Sequence, residues 1–288
     1  MAELPTDAGV IESRMDPFFR RPATDFGKPV CRLGLASRGD SRIEVDDVHR
    51  ALERGVNFLN WPGTDDALAR AIGEMGVARE LVVICVQLEA RTAAAAASEL
   101  RTMRAALRTD YLDVVTFYYV EQTQEWDELT STGGALEYCV AAREEGAIRR
   151  LGLTTHQRGL AAEVARSGRL DSLMIRYNAA HRGAEREIFP VTDALGMPII
   201  AYTALRWGAL LRPTPDDPPG FTVRPAPSWY RFVLQCPSVA VALMAPDNRA
   251  ELEEDLTVLD APGPLSADEY ERLAEHGRRV HRRAGGFP

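Results

Sequence analysis

Apolar positions in this chain gather into short runs, spaced by roughly 30 residues, with longer amphipathic segments between them. Val30 to Ala36, Val56 to Asn60, Leu81 to Val86, Asp113 to Tyr118, Arg150 to Leu153, Ser172 to Ile175, Ile199 to Tyr202 and Val239 to Leu243 read as eight strands. Several are apolar on both faces, as strands of a parallel sheet covered on both sides must be. The intervening segments read as helices. They are Val45 to Arg54, a segment capped by Thr64 or Asp65 and running to Met75, Thr92 to Leu107, Thr132 to Glu145, Gly159 to Ser167, Ala184 to Leu195, Pro227 to Gln235 and Asn248 to Leu256. A longer helix, Ser266 to Arg283, closes the chain. Gly55, Gly146 and Gly196 stand where helices stop.

Eight strand–helix units predict a closed (β/α)8 barrel, a TIM barrel in one domain over residues 25–288, preceded by a tail over 1–24. A doubly wound open sheet is the alternative, but no G-x-G-x-x-G follows the first strand. The Pro-rich stretch from Pro213 to Pro227 is a long loop after strand seven, and a loop of that length at a barrel mouth points to function.

Composition narrows the classes. A chain of 288 residues, 45% hydrophobic, can bury one large core, and a net charge of −8 argues against nucleic-acid or anionic-membrane partners. No run approaches the ~20 apolar residues of a membrane span, and Met1 to Asp16 lacks the apolar stretch of a secretory signal, so a cytoplasmic location is expected. The four cysteines, Cys31, Cys85, Cys139 and Cys236, form no CxxC pair, and Cys85 lies inside an apolar strand. Lys28 is the one lysine of the chain. Drift of lysine to arginine is a compositional habit, but it does not put glutamine at the end of a strand, as at Gln87.

Several segments, in order from Gly27 to Leu256, together resemble the aldo-keto reductase family. They are Gly27-Lys28-Pro29-Val30-Cys31-Arg32-Leu33-Gly34-Leu35, Gly55-Val56-Asn57-Phe58-Leu59-Asn60, Tyr111-Leu112-Asp113-Val114-Val115, Gly146-Ala147-Ile148-Arg149-Arg150-Leu151-Gly152-Leu153, Arg176-Tyr177-Asn178 and Ala201-Tyr202-Thr203-Ala204-Leu205. The resemblance implies a barrel that binds NADP(H), or NAD(H), across its C-terminal mouth and moves a hydride between the cofactor and a small carbonyl or alcohol. The family's acid–base set is Asp, Tyr, Lys and His. Carried over, the aspartate position reads Asn60, the tyrosine falls near Asp65, the lysine reads Gln87 and the histidine reads Tyr118. A phenol with a pKa of about 10 needs a nearby cation to titrate near neutrality, and Gln87 supplies none.

The cofactor positions that the resemblance implies are better kept. Tyr202 matches the aromatic stacked under the nicotinamide, and Thr203 and Leu205 match positions at the pyrophosphate. Thr154 and Thr155 replace a Ser-Asn pair at the carboxamide, with Met174 where a glutamine would contact the same group. Arg249 matches a 2′-phosphate contact, Glu251 replaces an arginine there, and Glu254-Asp255 resembles a Glu-Asn pair at the adenine.

Other groups could carry the proton. Tyr118 and Tyr119 end the fourth strand and His156 follows the fifth, where a barrel places its chemistry. Alternatively, these side chains pack under loops. Asn178, His181, Arg182 and Glu185 follow the sixth strand, either beside substrate or as a structural polar cluster. Arg206 and Trp207 could meet phosphate, meet a substrate carboxylate, or wall a pocket. His156, His181 and Glu185 match no metal-ligand spacing, and no metal is expected. The sequence thus supports an atypical oxidoreductase, and alternatively a catalytically inactive binding or regulatory relative. Lyase or isomerase chemistry through His156 or His181 is a third possibility.

Overall fold

The computed structural model describes residues 15–261 and 263–283. Its frame is a closed barrel of eight parallel strands: β3 (Leu33–Ala36), β4 (Phe58–Trp61), β5 (Val83–Leu88), β6 (Leu112–Phe117), β7 (Ile148–Thr155), β8 (Ser172–Arg176), β9 (Ile199–Tyr202) and β10 (Val239–Met244), with β10 closing on β3. The first apolar run divides. Val30–Cys31 (β2) pairs antiparallel with Arg20–Arg21 (β1) as a separate hairpin, and only Leu33–Ala36 enters the barrel. Residues 15–24 fall within the tail expected over 1–24. Phe19 is fully buried in the main core, and residues 20–21 belong to that hairpin. Residues 1–14 lie outside the described range.

Helices α1 (Ala23–Phe26), α2 (Val45–Glu53), α3 (Ala67–Glu74), α4 (Ala93–Ala106), α5 (Thr123–Thr130), α6 (Ala135–Glu144), α7 (Arg158–Arg166), α8 (Ala184–Glu187), α9 (Phe189–Leu195), α10 (Ala226–Leu234), α11 (Arg249–Leu256) and α12 (Ala267–Arg282) complete the chain. Their ends follow capping chemistry. Asp66, Thr92, Asn248 and Ser266 accept from the third backbone N–H of their helices. The helix expected from Thr132 begins only after Gly134, and α5, begun by a Gln122/Glu125 capping box, precedes it. The segment expected as one helix over Ala184 to Leu195 breaks at Ile188, because Pro190 has no N–H to continue the first turn.

Two apolar layers result. The larger lies between barrel and helices, and a smaller one fills the barrel with Phe58, Val83, Cys85, Val114, Met174, Ile200 and Val241 among others. Gly34 is required by this inner packing, since a Cβ there would sit 2.8 Å from Val241 and 2.9 Å from Leu243. At the barrel floor, buried Asp113 holds Lys28 at 2.8 Å and Arg79 at 2.8 Å, and accepts from the Ile84 N–H at 2.9 Å.

The Pro-rich loop after β9 is strapped to α12. Asp217 meets Arg279 at 2.6 Å and His276 at 3.1 Å, Asp216 meets Arg283 at 2.6 Å, and Phe221 stacks on His276. Among the described residues, no helix is long and apolar enough to cross a membrane.

Candidate active site at the barrel mouth

Side chains alternate along a strand, so every second residue faces the barrel interior. Phe58, Val83 and Cys85, Val114, Met174 and Ile200 are inward. The same rows reach the C-terminal mouth at Asn60, Gln87, Tyr118, Arg176 and Tyr202, and His156 follows inward Thr154 by two residues. Arg176 and Tyr202 are register partners across β8 and β9. The mouth is therefore lined by one amide from each of β4 and β5, and by aromatic and basic groups on the other side.

An aromatic file crosses that basic side. The Tyr118 ring lies 4.1 Å from Tyr119, Tyr119 stacks at 4.7 Å on His156, and His156 meets Tyr202 edge to face at 5.8 Å. Tyr118 is thus separated from His156 by Tyr119. Tyr119 has a left-handed backbone, φ 40°, an uncommon geometry for an aromatic residue. Burial, reinforced by Tyr118, pushes its phenol up to about 12.

Glu121 fixes His156. Its Oε1 accepts the His156 backbone N–H at 2.8 Å and lies 3.2 Å from the imidazole Nδ1, while Oε2 accepts from Gln157 Nε2 at 3.1 Å. An ionised carboxylate only accepts, so Nδ1 carries the proton and Nε2 is left as the acceptor. Burial lowers the His156 pKa, Glu121 opposes that, and Arg176 adds to the lowering. Burial thus favours the neutral imidazole.

The expected tetrad positions hold no charged acid–base pair. Asn60 is buried, with its side-chain oxygen lacking a hydrogen-bond partner. Gln87 reaches across the barrel to the Met174 sulfur at 3.5 Å. Asp65 is exposed and lies 3.6 Å from Arg70. Lys28 is committed to the floor, where it also donates to the Val82 carbonyl at 2.6 Å and the Tyr111 hydroxyl at 3.0 Å. A cleft of about 870 Å³ leads outward from Trp61 and Gln87 between α3 and α4.

The residues expected around a dinucleotide fall into two groups. Thr154, Thr155, Tyr202, Thr203 and Leu205 gather at or near the mouth, on β7, on β9 and just after β9. Thr154 donates to Thr116 Oγ1 at 3.2 Å inside the barrel, and Thr155 Oγ1 accepts from the Gln157 N–H at 3.0 Å. Tyr202 keeps a buried hydroxyl without a hydrogen-bond partner. The turn beyond it is left-handed at Thr203, Arg206, Trp207 and Gly208, with φ of 55°, 50°, 48° and 77°. Such strain on non-glycine residues gathers where a ligand is held. Arg249 and Glu254 lie apart, on α11. Arg249 meets Asp47 at 2.9 Å, beside Asp247, which holds Arg38 at 2.9 Å and Arg42. Glu254 is exposed, and Asp255 is buried against the Tyr230 hydroxyl at 3.1 Å.

After β8, Glu185 accepts from Arg182 at 2.7 and 2.9 Å and from the Tyr177 hydroxyl at 2.8 Å, which makes those three a structural cluster. Asn178 spans the loop, donating to the Thr203 carbonyl and accepting from the Ala180 N–H. Among the described residues, no three His, Cys, Asp or Glu side chains converge as a metal site. Neither Glu121 nor Arg176 is among the site residues that the sequence points to. Inward parity with Met174 marks Arg176, whereas Glu121 comes from a loop with no pattern of its own.

Comparison with known proteins agrees with this frame. The structure is similar to the aldo-keto reductase AKR11C1 from Bacillus halodurans in its holo form, with a TM-score of 0.71 at 18% identity, over 89% of this chain and 95% of that one. The apo form matches with a TM-score of 0.70 at 17% identity and the same coverage. At that identity the likeness shows the barrel fold. The sequence pattern described as "Aldo/keto reductase family" matches residues 34–228, from the first barrel strand into α10, and the chain belongs to that family.

Proposed function

We propose that this chain is a nicotinamide-dependent oxidoreductase that acts on a small carbonyl or alcohol, uses NADP(H) in preference to NAD(H), and handles the proton through His156. Membership of the aldo/keto reductase family supports oxidoreductase chemistry. The observation that carries the rest is the Glu121–His156 pair set edge-on to Tyr202.

The residues present fit a dinucleotide. Tyr202 offers an aromatic ring at the mouth, and its unpartnered hydroxyl is suited to a polar group brought in from outside. The left-handed turn from Thr203 to Gly208 exposes backbone of the kind that wraps phosphates. Arg38, Arg42 and Arg249 surround the start of α11, where a helix N-terminus adds positive potential, and this favours a 2′-phosphate. When bound, the nicotinamide supplies or accepts the hydride.

The chain's own work is to hold the proton. With Nδ1–H fixed on Glu121, His156 Nε2 takes a proton from an alcohol as hydride leaves, and returns it to a carbonyl oxygen in reverse. Because burial and Arg176 favour the neutral imidazole, the free site holds the base form that accepts the proton in alcohol oxidation. Tyr119 fixes the imidazole plane by stacking, and Tyr118 supports Tyr119. Asn60 and Gln87 replace a charged pair with amides suited to hydrogen-bonding a hydroxyl or carbonyl. Thiols throughout, with all four cysteines free, fit a cytoplasmic setting.

The test is an alcohol and carbonyl panel followed through the absorbance of the reduced nicotinamide. Turnover is expected to fall by about 10²–10⁴ in His156→Ala. Glu121→Ala is expected to lower turnover as well, because it removes the Oε1 acceptor that holds Nδ1–H and leaves the tautomer unfixed. Turnover unaffected by either substitution rules out this assignment.

A further inference from the structure

A second basic region lies beside the mouth. Helix α12 docks on the loop after β8 because Gly277 has no side chain: a Cβ there would lie 2.2 Å from the Ala179 carbonyl oxygen. Docking at that distance brings Arg278, His281 and Arg282 opposite Arg158, Arg186 and His181 across a groove of about 560 Å³. Among the described residues, the one carboxylate lining it, Glu185, is already matched by Arg182 and the Tyr177 hydroxyl. In a chain of net charge −8, this excess of cations on one concave surface runs against the overall balance.

The arginines are placed so that they can turn inward. Arg158 lies across Gly183, where a Cβ would sit 2.6 Å from its Nε, so only glycine leaves that path open. From outside the groove, Glu187 holds Arg158 at 2.9 Å, Glu271 holds Arg278 at 2.6 Å, and Asp216 lies 3.9 Å from Arg282. These pairs are half-exposed, and each is worth about 1 kcal/mol or less, so an incoming anion can displace them. His181 sits on the inner wall of this basic region. Burial pushes its pKa down to about 3, and Arg176, Arg206, His281 and Arg158 add to that from four different elements. Inward, the groove shares Arg158, His181 and Gly183 with a small chamber of about 10 Å³ that is also lined by His156 and Arg176. That is room for about one water.

We propose that this groove is a binding site for a small organic anion, a phosphate monoester or a carboxylate, whose charged head sits among Arg158, Arg186 and Arg282. The groove is large enough for a metabolite-sized ligand. Guanidinium forks match both head groups in bidentate geometry. The site stands apart from the dinucleotide reading, because none of its lining residues belongs to β9, to the turn after it, or to α11.

Isothermal calorimetry at low chloride, with the whole chain, tests this using inorganic phosphate, glycerol 3-phosphate and citrate as probes. Saturable binding at or below about millimolar concentration is expected for at least one of them. The double variant Arg186→Ala/Arg282→Ala is expected to weaken it at least tenfold, and Gly183→Ala, which pushes Arg158 aside, to weaken it severalfold. Binding of the phosphates alone identifies a phosphoryl head, and binding of citrate alone a carboxylate. Affinity no better than that of chloride overturns the site. So does affinity that survives the double variant but is lost in Arg249→Ala, which would move the anion to α11. A failure of nicotinamide binding leaves this result untouched, and the reverse is also true.

Discussion

Removing the charge at Asp113 tests what the lone lysine is for. The carboxylate is 1% exposed, and it faces Lys28 and Arg79 at 2.8 Å each. At an effective dielectric near 20, each attraction is worth about 4 kcal/mol at a charge separation of about 4 Å. Asp113→Asn keeps an acceptor for the Ile84 N–H but leaves two buried cations facing each other. Partial rehydration through Lys28, 18% exposed, recovers some of this. The net loss is expected at about 3–5 kcal/mol. Lys28→Met should cost less than about 1 kcal/mol, because burial is the largest influence on Lys28 and lowers its pKa despite Asp113. Urea unfolding measures both, as a shift of midpoint at constant slope. Equal losses from the two substitutions, or a loss below about 1 kcal/mol for Asp113→Asn, would refute the reasoning. A Lys28 that governed turnover at normal stability would refute it from the functional side.

Asp255 titrates at about 7 because it is buried, against 3.8 when unfolded. The folded state therefore keeps a proton that the unfolded state releases, and Asp255 costs stability increasingly as pH rises from about 4 to 7. Asp255→Asn should stabilise by roughly 2 kcal/mol at pH 8 and by nothing measurable at pH 3.5 in chemical unfolding. Gly277→Ala should lower the melting temperature and increase protease cutting near Ala179, since its methyl would have to enter the Ala179 carbonyl. The pH profile of kcat/KM for alcohol oxidation should rise to a plateau by about pH 7, with its inflection below the usual histidine value. An inflection near 10 would instead mark a tyrosine as the base.

The barrel was legible because its signals are repeated and local. Apolar runs recur along the chain, with caps such as Thr92 and Asn248 and stops such as Gly196, and Ile199–Tyr202 occurs over the residues expected. The errors arose where distant contacts decide. Val30–Cys31 is as apolar as a barrel strand, but pairing with Arg20–Arg21 diverts it. Helix α5 is short and polar on its exposed side, and the burial of Trp126 and Leu129 holds it against the core. In the site, inward parity marks Gln87, Arg176 and Tyr202 without any structure. Glu121 could not be read, since its role depends on a loop that folds back under His156 through three hydrogen-bonding contacts. The lysine was misleading only by its rarity: the chain spends it on the floor, at the end opposite the chemistry.

The account stands most directly on cofactor binding at the mouth. Calorimetric titration of the protein with NADP+ should give saturable binding at micromolar concentration, weakened about tenfold by Tyr202→Ala, the loss expected for one aromatic stack. No heat of binding at millimolar NADP+, or full affinity after Tyr202 is removed, would contradict it.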